Sequence, residues 1–180
     1  MTAKLPEQLT LARYKTPIGV MLLAFDDEGF LRVLDFEDYE PRMHKLLRRQ
    51  YGEKLRFVDG QAPAKVARAL DRYFAGELAA LDEIECRTAG TPFQRSVWAE
   101  LRKIPVGKTT SYGALAAKLG KPQAMRAVGL ANGANPIGVV VPCHRVIGAN
   151  GALTGYGGGL HRKQWLLRHE GASFAAPATL

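Results

Sequence analysis

The chain turns on one stretch, Val139-Val140-Val141-Pro142-Cys143-His144-Arg145-Val146. An apolar β-branched run ends at a proline. Proline bars the preceding valine from helical torsions, so the run reads as a buried strand that stops at Pro142. Cys143 then stands at a strand end, held by rigid backbone yet able to face a cleft. That position suits a nucleophile. A lone cysteine after an apolar run is also, ordinarily, a small buried hydrophobe. The residues around it decide between the two.

Downstream, Asn150-Gly151 marks a turn, and Thr154-Gly155-Tyr156-Gly157-Gly158-Gly159 forms a glycine-rich loop. The loop lacks the Gly-Lys-Ser/Thr ending of a phosphate-binding loop and the Rossmann spacing, so it reads as flexible backbone around one aromatic. A helix from Leu160 to Glu170 follows, capped by Gly171, and the segment from Ala172 onward is expected to fray. Upstream, Asn132-Gly133-Ala134-Asn135-Pro136 is a turn that leads into the valine run. Before it, Thr91 caps a helix that begins at Pro92 and carries Phe93, Val97, Trp98 and Leu101 as its apolar stripe. A second helix starts at Thr110-Ser111-Tyr112-Gly113 and ends at Gly120. A third begins near Gln123 and runs through Ala131. Helix, glycine-containing turn and helix make the helix-turn-helix pattern. The third helix is rich in small residues, among them Ala124, Ala127, Gly129 and Ala131. Glycine weakens a helix, so this smooth surface implies close approach to a neighbouring helix or to a groove. Arg126 stands on it, as a solvated arginine or as one that enters a base stack.

The first half reads as a separate unit. The segments 9–14, 20–25 and 30–36 are short strands divided by the turn signals Thr16-Pro17-Ile18-Gly19 and Asp26-Asp27-Glu28-Gly29, which predicts an antiparallel meander. A helix with Met43, Leu46 and Leu47 inward precedes Gly52. The run 55–58 suggests a fourth strand, and Val66, Leu70, Tyr73 and Phe74 mark a second helix stopped near Gly76. No candidate site lies in this half. Thr88-Ala89-Gly90-Thr91-Pro92 reads as a linker. The fold class expected is therefore α/β (α+β) with two domains: 1–88 with an antiparallel sheet and helices, 89–174 mainly helical, and a tail at 175–180.

The charges divide along the same boundary. Residues 1–88 hold 14 Lys+Arg against 15 Asp+Glu, and residues 89–180 hold 11 against 2, so the whole net charge of +8 lies in the half that carries Cys143. A basic half beside a neutral one points to a polyanion, most simply nucleic acid. No apolar run approaches a membrane span, and the N-terminus lacks a basic region followed by an apolar stretch. A soluble cytoplasmic protein is expected, one that makes no contact with membrane. Cys86 and Cys143 are too few for a disulfide scaffold, and none of the four histidines shares a zinc-ligand spacing with either, so no metal is expected.

A thiol with the usual pKa of about 8.5 is only roughly 3% thiolate at neutral pH, so a working nucleophile needs a partner. His144 is adjacent, but neighbouring strand residues point to opposite faces, so contact requires a sharp turn or a water between them. A third group has to orient the imidazole. Glu170 is one of only two acids in the basic half, the other being Glu100. An acid at a helix C-terminus opposes the macrodipole, a local cost that argues for another use.

Pro142-Cys143-His144-Arg145-Val146 resembles the active-site motif of the O6-alkylguanine-DNA alkyltransferases, the methylated-DNA–protein-cysteine methyltransferases. Also similar, in order, are Thr91-Pro92-Phe93-Gln94 through Trp98, Ser111-Tyr112, Ala124 to Gly129, Asn135-Pro136, Gly155-Tyr156-Gly157-Gly158-Gly159 and Trp165-Leu166-Leu167-Arg168-His169-Glu170-Gly171. The match covers roughly residues 90–171, and the first half resembles the constitutive bacterial type. The resemblance implies a ribonuclease H-like N-terminal domain and a winged helix-turn-helix-like DNA-binding domain. It implies direct DNA repair, with one irreversible transfer of the alkyl group of O6-alkylguanine, or of O4-alkylthymine, to Cys143. The protein would bind the minor groove of double-stranded DNA and flip the damaged base, at a cost of a few kcal/mol. Arg126 would fill the vacated space, and Ser111, Ala127 and Gly129 would lie along the DNA. Tyr112 would crowd the phosphate and donate toward guanine N3. His144, through a water, and Glu170 would take the thiol proton, and Asn135 would brace the turn behind Cys143. Val146, Tyr156, Gly157 and Gly158 would line the alkylguanine pocket. No cofactor is implied, and the protein is expected to be a monomer, with cooperativity on DNA left open. Some members place a serine where this chain has Gly157, and bulkier residues can occur at Asn132 and Gly133, so the width of the pocket is not implied.

Overall fold

The computed structural model describes residues 4–175, and the chain divides into two compact units between Gly90 and Thr91. In the first unit, β1 (Gln8–Thr16), β2 (Gly19–Phe25) and β3 (Leu31–Phe36) form the expected antiparallel meander. The Asp26–Gly29 turn is held by Asp26. Its Oδ1 accepts the Glu28 and Phe30 N–H groups at 3.0 Å each, and its Oδ2 accepts Arg32 Nε at 2.8 Å. The chain then passes through α1 (Glu40–Tyr51) to β4 (Arg56–Asp59). Because a helix carries it across, β4 joins the far edge of β1 in parallel, giving the order β3-β2-β1-β4. The sheet is therefore mixed rather than wholly antiparallel. Met21 to Phe25 are buried without alternation, as a strand covered on both faces requires. Leu22, Ala24, Met43 and Leu47 share one cluster, so α1 covers one face. The second helix, α2 (Ala64–Phe74), buries Val66, Leu70 and Tyr73. Cys86 forms an isolated parallel bridge with Leu31.

The second unit begins with α3 (Pro92–Leu101). Thr91 and Gln94 form a reciprocal capping box, with Thr91 Oγ1 accepting Gln94 N–H at 3.1 Å and Gln94 Oε1 accepting Thr91 N–H at 2.9 Å. A two-residue strand, β5 (Thr110–Ser111), leads directly into α4 (Tyr112–Lys118), and α5 (Met125–Gly133) follows after a turn. Ser111 is the N-cap of α4, its Oγ accepting Ala114 N–H at 3.1 Å. Trp98 Nε1 donates to the Ala131 carbonyl at 2.8 Å and ties α3 to α5. β6 (Val146–Ile147) pairs with β5 in parallel, and α6 (Leu160–His169) closes the unit.

The valine run is not a strand. Val139 is buried in the left-handed region, with φ at +68°, and Val140 N–H and Val141 N–H bond back to Gly138 and Ile137. The β-branched residues are buried as expected, but tight backbone turns displace the ladder that their propensity favours. The expectation of a frayed segment from Ala172 is corrected as far as Ala175. Ala172 N–H bonds Leu167 and Ala175 N–H bonds Gly151. The remainder of the expected tail, 176–180, lies outside the described residues. Among the described residues no helix is long and apolar enough to cross a membrane. Thr91→Ala removes one arm of the capping box and should cost about 1 kcal/mol, lowering Tm by about 3 °C in a thermal melt.

Candidate active site

Pro142 ends the turns, and Cys143–Arg145 form one turn of 3-10 helix. The expectation that Cys143 and His144 alternate across a strand is thereby corrected, since this turn bends the backbone between them. Asn135 supports it from behind. Its Nδ2 donates to the Val141 carbonyl at 2.8 Å, and its Oδ1 accepts Ile137 N–H at 3.0 Å. This side chain spans the segment that holds the left-handed Val139. Asn132, which sequence reading considered only for pocket width, directs Nδ2 toward the Cys143 carbonyl at 3.5 Å. Cys143 itself is only 7% exposed.

Glu170 and His144 are brought together, although 26 residues separate them. His144 Nε2 lies 2.9 Å from Glu170 Oε2, with both side chains fully buried. Arg145 completes the group: Nε donates to Glu170 Oε1 at 2.8 Å, one terminal nitrogen donates to Oε2 at 3.1 Å, and the other donates to the Ile104 carbonyl at 2.7 Å. Sequence reading gave Arg145 no task. The available signal was its charge: a buried carboxylate needs a cation, and an arginine lies two residues from Cys143. Gly107, at φ +82°, packs so closely that a Cβ there would lie 3.1 Å from the Glu170 carbonyl.

These contacts decide the protonation states. Burial favours the neutral acid, but the hydrogen bonds and charges of His144 and Arg145 outweigh it and hold the Glu170 carboxyl far below the usual carboxylate range. Burial drives the His144 imidazole below its usual value against the pull of Glu170, with Arg145 and Lys163 adding to the lowering. The hydrogen-bond pattern thus assigns a neutral imidazole that donates Nε2–H to an ionised Glu170. Nδ1 is then unprotonated. It is buried and has no hydrogen-bond partner among the described residues.

The other predicted residues fall into two groups. Tyr112 starts α4 two residues after Thr110, the partner of Val146 across β5 and β6, so the paired strands bring the Tyr112 backbone to the end of the Cys143 turn. Tyr112 Oη lies 2.8 Å from Thr154 Oγ1. Tyr156 sits edge-on to His144 with ring centroids 6.5 Å apart. Gly158 is buried and its carbonyl accepts Arg162, while Gly157 is half-buried beside it. Lys163, also missed, is fully buried and donates to the Val146 carbonyl at 2.7 Å. Its signal was weak, since lysine is the residue least expected inside. The second group lies on α5. Arg126 and Ala127 are exposed, while Gly129 packs inward, where a Cβ would meet the Tyr112 ring at 3.8 Å. Met125 and Leu130 flank Arg126 and are 55% and 71% exposed, an apolar surface that sequence reading did not single out.

The charge network sets a pH dependence. Glu170 is depressed, so its contribution to stability is present above the unfolded value of about 4.3 and is lost as pH falls below it. His144 is also depressed, so it lowers stability as pH falls below about 6.5, where the unfolded chain takes up a proton that the folded chain refuses. Glu170→Gln leaves the buried Arg145 without its counter-ion and should cost about 3–5 kcal/mol at pH 7. Urea midpoints measured from pH 7 to pH 3 should show this loss and a flatter slope below pH 4.3 in the variant.

Comparison with known proteins agrees with this arrangement over both units. Residues 10–87 match the family model described as 6-O-methylguanine DNA methyltransferase, ribonuclease-like domain, and residues 92–172 match the corresponding DNA binding domain. A methylated-DNA–protein-cysteine methyltransferase of Salmonella typhimurium is 54% identical over 157 residues, covering 87% of this chain and 92% of the relative. One from Mycolicibacterium paratuberculosis is 49% identical, covering 94% and 99%. The solved structure of Mycobacterium tuberculosis OGT in complex with DNA aligns with a TM-score of 0.76 at 40% identity, covering 90% of this chain and 92% of that one. With its two units matched in order and its identity to full-length relatives at about half, the chain belongs to the 6-O-methylguanine DNA methyltransferase family.

Proposed function

We propose that this protein repairs DNA directly, moving the alkyl group of O6-alkylguanine onto Cys143 once per molecule. The observation that carries the reading is the buried Glu170–His144 pair beside Cys143, with the Nδ1 lone pair left unbonded among the described residues. The thiol proton passes to Nδ1 through a bridging water, and Glu170 stabilises the imidazolium that results. The thiolate attacks the alkyl carbon. The new S–C bond forms as the C–O6 bond breaks, and the electron pair leaves with guanine. Tyr112 hydrogen-bonds guanine N3 as charge develops there, and the proton taken from the thiol is finally returned to the base. The thioether has no internal route back, so each molecule acts once, without a cofactor.

DNA enters on the α5 face. Exposed Met125, Leu130 and Ala127 offer an apolar surface around Arg126, the composition that suits a minor groove and a side chain wedged into a base stack. The excess positive charge of the C-terminal half attracts the phosphates. Ser111 caps α4 beside Tyr112, and Gly129 lies next to the Tyr112 ring. Val146, Tyr156, Gly157 and Gly158 form the pocket around the flipped base. The protein acts as a monomer in the cytoplasm, a reducing compartment that keeps Cys143 a thiol.

Incubation with duplex DNA carrying O6-methylguanine should add one methyl group to Cys143 and then stop, as intact-mass and peptide mass spectrometry would register. Bound DNA with an unmodified Cys143 would instead mark a damage sensor. Cys143→Ala should keep DNA affinity within about threefold while losing transfer, because the thiol is the acceptor and makes little of the DNA surface. Arg126→Ala should slow repair of duplex DNA by about tenfold or more while changing reaction with the free alkylated base by less than about twofold, given a flipping cost of a few kcal/mol. Equal losses on the two substrates would remove Arg126 from base flipping.

A further inference from the structure

Thr154 has no task in the mechanism above, yet three hydrogen bonds meet around it. Its Oγ1 lies 2.8 Å from Tyr112 Oη. Its carbonyl accepts Lys163 Nζ at 3.1 Å. The same ammonium donates to the Val146 carbonyl at 2.7 Å, and Val146 pairs with Thr110, two residues before Tyr112. The contacts close a ring that runs from the start of α4, across β5 and β6, through α6 to the glycine-rich loop, and back to the phenol of Tyr112.

Each member of the ring restrains the next. Lys163 is fully buried. Burial brings its ammonium down to about 8, with Cys143 acting in the opposite sense. It therefore remains mostly protonated at neutral pH and can hold both carbonyls. A branched Cβ limits threonine to few χ1 wells, so anchoring the Thr154 carbonyl also places its hydroxyl. The neighbouring residues of the loop, Gly155 and Gly157, cannot supply a hydroxyl.

We propose that Thr154 is a positioning residue for alkyl transfer: its hydroxyl donates to Tyr112 Oη and turns the phenol proton toward the flipped base, while Lys163 fixes Thr154 through its carbonyl. The inference rests on the role given to Tyr112 above. In the resting protein either oxygen can be the donor. Once a base nitrogen accepts the phenol proton, the threonine hydroxyl becomes the donor to Tyr112. A hydroxyl that accepts one hydrogen bond while donating another is a stronger donor, because chained hydrogen bonds polarise one another. Thr154 forms and breaks no covalent bond.

Single-turnover transfer from duplex DNA carrying O6-methylguanine tests this. Thr154→Val keeps the branched shape and removes the hydroxyl, so it should slow transfer about five- to tenfold, the scale of one lost hydrogen bond. Thr154→Ala, which places no larger group in the loop, should show the same loss. Thr154→Ser keeps the donor and should stay within about twofold of the wild type. In a Tyr112→Phe background, Thr154→Val should change the rate by less than about twofold, because its partner is gone. An undiminished loss in that background overturns the inference, since Thr154 would then act through the fold and not through Tyr112. A wild-type rate for Thr154→Val overturns it as well. Failure of the wild type itself to methylate Cys143 overturns the functional reading and this inference with it. Transfer by the wild type at the rate of Thr154→Val overturns this inference alone.

Discussion

A carboxylate buried without solvent needs a cation, and the site is built on how this chain meets that need. Glu170 ends α6 with its side chain fully enclosed, and Arg145 reaches it through two nitrogens from the turn that carries Cys143. The pairing fastens the Cys143–Arg145 turn to the end of α6, and the remaining Arg145 contact fastens it to Ile104 beyond α3. With its charge compensated, Glu170 stays ionised and accepts a third donor, Nε2 of His144. Burial keeps the imidazole neutral, and the ionised carboxylate fixes it in one tautomer. Truncating either charged partner would leave the other buried and uncompensated, which is why the group behaves as one unit.

The fold serves this unit with short, costly devices instead of long regular elements. Val139, buried and β-branched, occupies a left-handed conformation that costs about 1–3 kcal/mol, and Asn135 bonds to the backbone on both sides of it. Gly107 permits a backbone approach to the Glu170 carbonyl that a side chain would crowd. The two-residue pairing of β5 with β6 joins the start of the helix-turn-helix to the end of the cysteine turn. The same backbone that carries α5, the helix proposed to meet DNA, therefore also fixes Tyr112 relative to Val146 and the glycine-rich loop. Recognition and chemistry share one small framework.

Much of this was legible in the sequence, and the misses have physical causes. The meander, α1, α2 and the Thr91 cap of α3 followed from alternation, helical spacing and cap chemistry, because those elements obey local rules. Cys143, His144 and Glu170 could be grouped because acids are so scarce in the basic half. The valine run failed because β propensity describes a pleated ladder, whereas here burial is satisfied by turns braced by Asn135. β4 could be seen as a strand, but its parallel pairing depends on where α1 delivers the chain. Arg145 and Lys163 escaped notice because charge ordinarily signals surface. Their burial is met by partners 25, 41 and 17 residues away and at the far end of the loop. Nothing in the sequence marked Met125 and Leu130 as exposed, and the packing of α5 leaves them outside.

The central claim is that burial keeps His144 neutral while Glu170 fixes its proton on Nε2, so that Nδ1 can receive the proton of Cys143. Nitrogen-15 NMR of the imidazole across a pH titration of the folded protein reads this directly. The account predicts a neutral ring at pH 7, protonated at Nε2 and bare at Nδ1, that stays neutral as the pH falls below 6.5. A doubly protonated imidazolium at pH 7, or a neutral ring carrying its proton on Nδ1, would contradict it.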